Sequence, residues 1–236
     1  MVKPAVIFLI ILLVLVGGVM VYLRKVWFYR DPLRIPPQGQ GLIVAPADGK
    51  VVYIKPFKNG EVFVEKLGQV IPVTEITKTP LWGDSGWIVG IYMSPLDVHF
   101  NYAPVDSLVV RMVHTPAKCN LPMVDLWEYI RLTYFRRAVD LFASRYRLVN
   151  ERLTLFLDAG ALKLALVEIA DKFVNKIKCF TAAGERLQRG QKISFIERGS
   201  QVDLIIFSEE IEFEVSVGQQ VYGAQTVIAR YRPQDG

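Results

Sequence analysis

Pro4 to Leu23 (PAVIFLIILLVLVGGVMVYL) is a run of 20 residues without a charge. As a helix rising about 1.5 Å per residue, it reaches roughly 30 Å, one hydrocarbon core. A signal peptide would normally end a shorter apolar stretch at a small-x-small site. This run instead meets Val21-Tyr22-Leu23-Arg24-Lys25 and predicts an uncleaved transmembrane helix. Tyr22, Trp27, Phe28 and Tyr29 cluster where an interfacial aromatic belt would sit. From Leu42 the pattern changes to short β-branched or aromatic runs bounded by Gly, Pro, Asn or Asp. They are LIVAP, VVYIKPF, EVFVEKL and WIVGIYM, then after Ala161 LKLALVEIA, FVNKIKCF, KISFIERG, VDLIIF and TVIARYR. They predict a mainly β fold, a barrel or sandwich with a minor α+β component. One segment departs from this. Met123–Arg147 has no Gly or Pro and spaces Leu126, Ile130, Tyr134 and Phe142 helically, predicting an inserted amphipathic helix. Its five arginines face three acids, so it either covers one end of the sheet or lies in a membrane interface.

The chain has 236 residues, 52% hydrophobic and 22% charged, enough for one self-sufficient core with an appendage. That balance excludes a disordered or fibrous chain. A formal net charge of +5 invites a nucleic-acid reading, but its distribution removes it. Residues 1–30 hold Lys3, Arg24, Lys25 and Arg30 without an acid, whereas the remaining 206 residues carry 24 bases and 23 acids. The three bases after the apolar run outweigh Lys3, so the positive-inside rule puts the body in the cytoplasm. Cys119 and Cys179 form no CxxC, which excludes a disulfide framework and a cysteine zinc site. With only His99 and His114, no metal centre is expected. The predicted organisation is an anchor with its flank at 1–27 and a single body at 28–236.

Four stretches carry candidate chemistry: FYRDP at 28–32, APADGKV at 45–51, MSPLDVHFNYAP at 93–104 and GERLQRGQKISFIERGSQVDLIIF at 184–207. Taken singly they have ordinary readings. Gly199-Ser200 lies between two strand-like runs and reads as a tight hairpin turn. Pro46-Ala47-Asp48-Gly49 is a common turn, and a lone histidine such as His99 near a strand end is usually structural.

In this order, the four stretches together resemble the phosphatidylserine decarboxylases, in particular their short form, over roughly residues 28–210. The resemblance extends to His114-Thr115-Pro116-Ala117-Lys118-Cys119 and Asn150-Glu151-Arg152. It implies a proenzyme that cleaves itself between Gly199 and Ser200 into chains 1–199 and 200–236. The Ser200 hydroxyl would attack the Gly199 carbonyl, where glycine tolerates strained geometry. Elimination would then leave dehydroalanine, which hydrolyses to a covalent pyruvoyl cofactor. The resemblance makes His99 the base that activates Ser200 and later moves protons on the substrate. It makes Asp48 the acid that orients His99, as a triad aspartate does. Asp97 and His114 are candidates for supporting or pocket roles.

The implied partners are a phospholipid substrate, the bilayer and the two fragments, which stay associated; a homo-oligomer is compatible with this and nucleic acid plays no part. The implied activity converts phosphatidylserine to phosphatidylethanolamine and carbon dioxide. Departures from the family pattern lie near the pocket: Ala117 and Cys119 replace the usual Gly and Phe. Glu168-Ile169-Ala170-Asp171 and then Asn175-Lys176 stand where Gln-Ile-Ala-Gly and an arginine-rich run are common. They leave open a decarboxylase of another amine-bearing substrate. A non-enzymatic alternative is a lipoyl-like or hammerhead β-domain, with Lys50 as the carrier lysine but lacking the usual methionine. A serine hydrolase finds no G-x-S-x-G elbow.

Overall fold

The computed structural model describes residues 4–64, 69–117, 120–122, 127–128, 131, 142, 149–171, 177–197 and 200–232. Gly199, Cys119, Asn175, Lys176 and all but four residues of the expected 123–147 helix lie outside them. The apolar run forms helix α1 (Pro4–Tyr22), extended by a π-helical turn at Leu23–Trp27. None of α1 is buried against protein, and it is long and apolar enough to cross a membrane.

The described part of the body contains β1 (Leu42–Val44), β2 (Gly49–Phe57), β3 (Glu61–Val64), β4 (Gln69–Pro72), α2 (Val73–Thr77), β5 (Gly86–Met93), β6 (Phe100–Tyr102), β7 (Ser107–Thr115), β8 (Arg152–Asp158) and β9 (Lys163–Ala170). After these come β10 (Ile177–Cys179), β11 (Arg186–Leu187), β12 (Lys192–Ile196), β13 (Ser200–Ile206), β14 (Glu212–Phe213), β15 (Gln220–Val221) and β16 (Val227–Arg230). The mainly β expectation holds. Strands β7 and β8 and the short α2 are additions that the hydrophobic pattern did not mark.

The main sheet is antiparallel, in the order β11-β7-β8-β9-β13-β5-β2-β15. Bulges between Val109 and Arg111 and between Val51 and Tyr53 add to its twist and curl it into a half-barrel. Both faces are covered, which explains why VDLIIF and LKLALVEIA run apolar instead of alternating. On one face Val202, Leu204, Leu166, Leu155 and Ile91 pack in the larger core. On the other, Ile205, Val167, Phe156 and Ile88 form a second cluster with Phe142. Each such side chain contributes roughly 1.5–3 kcal/mol through its removal from water.

The tight hairpin expected at Gly199-Ser200 is not formed. β12 pairs with β10 and β6, whereas β13 pairs with β5 and β9 in the main sheet. β12 and β13 therefore belong to different sheets, and Ser200 opens a central strand instead of flanking a turn between paired neighbours. Burial on both faces draws VDLIIF into the middle of the large sheet, where local pairing with KISFIE cannot follow.

Candidate active site

Ser200 is fully buried at the head of β13, opposite Met93 of β5 on one side and Ala170 of β9 on the other. Its hydroxyl donates to Met93 Sδ at 3.1 Å, a weak acceptor. Gly199, the other half of the expected cleavage pair, lies outside the described residues. After Met93 the chain turns through residues 94–98 to His99. The His99 carbonyl accepts the Ile196 N–H at 3.1 Å, four residues before Ser200. The loop that carries the histidine thus meets the end of β12, four residues before the serine.

His99 has no solvent exposure. Its Nδ1 lies 3.0 Å from the Asp97 carbonyl. A carbonyl only accepts, so the proton is assigned to Nδ1, and Nε2 keeps a lone pair. That Nε2 is buried and, among the described residues, has no hydrogen-bond partner. Burial pushes the imidazole down to about 3, with the nearby Arg30 cation adding to the effect. His99 is therefore the neutral base form at neutral pH.

Asp48 is buried, and its Oδ1 accepts the Gly223 N–H at 2.7 Å. Its Oδ2 pairs with Arg34 Nη2 at 2.7 Å, both side chains being nearly inaccessible. Burial raises the Asp48 pKa, opposed by the Gly223 amide and Arg34. Gly49 follows because a Cβ there would stand 2.3 Å from the Tyr92 carbonyl oxygen of the neighbouring strand. Among the described residues no hydrogen bond joins Asp48 to His99; the counter-ion of Asp48 is Arg34.

Asp97 holds its own loop: Oδ2 accepts the Ser94 N–H at 2.8 Å and hydroxyl at 2.7 Å, and Oδ1 accepts Gln220 Nε2 at 3.0 Å. A cavity of about 300 Å³ opens here, lined by Trp27, Arg30, Asp48, Asp97, Gln220 and Tyr222 among others. Its walls come from the segment that follows α1 and from both sides of the candidate cleavage point. His114 stands apart on β7, 52% exposed in its side chain and paired with Glu151 at 2.8 Å. Lys50 is buried in β2, not displayed at a hairpin tip, so the carrier-lysine alternative loses its physical basis.

A sequence profile described as phosphatidylserine decarboxylase matches residues 22–229. The chain belongs to the phosphatidylserine decarboxylase family. It is accordingly a decarboxylase, a carboxy-lyase. A protein of Methanocaldococcus jannaschii named "Putative archaetidylserine decarboxylase proenzyme" is 34% identical over 88% of this chain and 89% of its own length. A phosphatidylserine decarboxylase proenzyme of Chlorobium limicola is 30% identical over 92% of this chain and 84% of its own. Another, from Nitratidesulfovibrio vulgaris, is 31% identical over 91% and 82%.

The candidate site of this decarboxylase contains groups that sequence reasoning did not assign. Phe28, Arg30 and Arg34 come from the stretch that joins α1 to the body; FYRDP at 28–32 was the signal for the first two, and Arg34 lies just beyond it. Glu168 is a further one: its carboxyl is fully buried on β9, and Val202 of β13 is its register partner. Ser194 Oγ donates to Glu168 Oε1 at 2.6 Å and in turn accepts from Asn101 Nδ2 at 2.8 Å, while Oε2 has no partner among the described residues. Burial pushes Glu168 up to about 8, so the carboxyl is mostly protonated at neutral pH. A lone acid inside the apolar run LKLALVEIA was the sequence signal available for it.

Proposed function

We propose that this decarboxylase is a membrane-anchored, self-processing enzyme that acts on a phospholipid with a serine head group, phosphatidylserine in the first instance, releasing carbon dioxide. The observation that carries the reading is the neutral His99. Among the described residues its lone pair on Nε2 is buried and unpartnered, and its loop is bonded to Ile196, four residues before the buried Ser200. A serine hydroxyl needs a base to become a nucleophile, and the thioether that holds this one does not compete for its proton.

In the proposed sequence His99 takes the proton as Ser200 Oγ adds to the Gly199 carbonyl, and the peptide bond shifts from nitrogen to oxygen as an ester. Loss of the Ser200 α-proton expels the ester oxygen, releasing chain 1–199 as a carboxylate and leaving dehydroalanine at position 200. Water converts this enamine to a pyruvoyl group with release of ammonia. The residues present fit such a group: its carbonyl would replace Ser200 at the end of a strand buried on both faces, next to Met93 and four residues beyond the Ile196 amide that the His99 carbonyl accepts. When formed, the pyruvoyl group binds the substrate amine and accepts the electrons left by departing carbon dioxide. Residues 200–236 supply β13 between β5 and β9, and β16 beside β1, which supports fragments that remain one body after cleavage.

The anchor reading rests on α1 and its flank at 1–27, with 28–236 as the catalytic unit on the side of Arg24 and Lys25. A two-tailed lipid stays in the bilayer, so the catalyst must be brought to it. The test is intact-mass analysis of the detergent-purified chain: a 37-residue fragment blocked at position 200 is expected, and Ser200→Ala and His99→Ala should both abolish it. A single uncleaved species from the parent, or normal cleavage in His99→Ala, overturns the processing mechanism. Carbon dioxide release from diacyl and from diether serine lipids, compared side by side, then assigns the lipid backbone.

A further inference from the structure

The juxtamembrane segment does more than join helix to body. Phe28 is 6% exposed, and its ring centroid lies 4.2 Å from that of His99 at an interplanar angle of 38°. Its other side meets Phe195 at 5.9 Å, and Tyr29 stacks on the same Phe195 at 5.7 Å. Polar bonds clamp the segment to the histidine's own loop. Trp27 Nε1 donates to the Leu96 carbonyl at 3.1 Å, and Arg30 donates to the Leu96 carbonyl at 2.6 Å and the Asp97 carbonyl at 3.3 Å. The Asp97 carbonyl is also the acceptor that sets the His99 tautomer. One short stretch of chain therefore covers a face of the imidazole and fixes the group that orients it.

We propose that Phe28 is a positioning residue for His99: its ring seals the imidazole from water and holds Nε2 in place, so that self-cleavage depends on the segment leaving the membrane. The proposal rests on the reading of His99 as the processing base. Without the ring, water reaches the imidazole, the desolvation that keeps it neutral is relieved, and it protonates in its ordinary range near about pH 6.5. Among the described residues the charge that bears on the ring is Arg30 of the juxtamembrane segment; Asp97 of its own loop acts through its carbonyl, its carboxylate being turned to Ser94 and Gln220. β12 meets the histidine with Phe195 and the Ile196 amide. Arg30 disfavours the imidazolium and persists in a Phe28 variant, so the restored pKa stays at or below the ordinary one.

The experiment follows conversion of the full-length precursor, synthesised into phospholipid nanodiscs, by the mass of the fragment that begins at 200. Phe28→Ala should slow conversion by roughly tenfold to a hundredfold, the scale of a misplaced catalytic group. Its rate relative to the parent should fall further between about pH 7.5 and about pH 5.5. Phe28→Leu, which refills the space without a flat ring, should lie between the two in rate and in pH dependence. Unfolding midpoints of each variant on a Ser200→Ala background separate folding from positioning. A folded Phe28→Ala that converts at the parent's rate, or that is slow with an unchanged relative pH profile, overturns the proposal. Should Phe28→Ala not fold, Phe28→Leu decides alone, and parental rate and profile in it overturn the proposal. Normal conversion of His99→Ala overturns the underlying reading itself, whereas loss of conversion there with an unaffected Phe28→Ala defeats only the role given to Phe28.

Discussion

Glu168→Gln changes one buried oxygen for an amide nitrogen and leaves the shape of the side chain intact. In the folded chain the carboxyl titrates near 8, against an ordinary 4.5, because burial penalises the anion more than Ser194 and Asn101 support it. The sign follows from linkage: below about pH 4.5 both folded and unfolded chains hold the proton, and nothing separates parent from variant. Between the two values the unfolded chain gives up its proton while the folded chain keeps it. Each pH unit then withdraws about 1.4 kcal/mol from the parent. By pH 8 the deficit approaches about 5 kcal/mol, an upper bound because a solvating water or a local opening would relieve part of it. The glutamine does not titrate, and its Oε1 can accept the Ser194 hydroxyl as the carboxyl does. Chemical unfolding of detergent-solubilised Ser200→Ala precursor, with and without Glu168→Gln, should be run from pH 5 to 9. The two should be nearly equal in stability at the acid end and diverge as pH rises, the glutamine form being the more stable. Parallel curves across that range would refute the reasoning and place an ionised carboxylate at position 168.

Arg34→Ala should leave the Asp48 carboxylate buried without its cation, costing about 3–5 kcal/mol of precursor stability. Asp48→Asn in the same chain should return part of it, a coupling that a double-mutant cycle in thermal unfolding measures directly. Gly49→Ala would force a Cβ to 2.3 Å from the Tyr92 carbonyl oxygen. β2 must separate from β5, a loss of roughly 3 kcal/mol or more, read as a lowered unfolding midpoint and reduced accumulation of precursor.

Much of this architecture is written in local pattern. The charge-free run, its basic flank and the β-branched blocks define α1 and most of the longer strands, because helix length and strand propensity depend on near neighbours. The order of FYRDP, PADG, LDVHFNYAP and ERGSQVD was enough to name the family. Motif order also singled out Asp48, His99 and Ser200, and all three side chains are buried in the structure. Pairing was another matter. Nothing local distinguishes a hairpin at Gly199-Ser200 from a crossover, and only burial on both faces of β13 moves Ser200 into the centre of the main sheet. Asp48 was expected to face His99, yet its cation is Arg34, fourteen residues away in sequence, and His99 instead leans on Phe28 and the Asp97 carbonyl. Glu168 looked like a departure from a glutamine, but burial protonates it into something close to one. The sequence by itself determined the apolar helix, the β class and the family. Tertiary structure alone decided which groups are dry, which are paired and which nitrogen of His99 is left free, because desolvation and long-range partners arise only when distant segments pack.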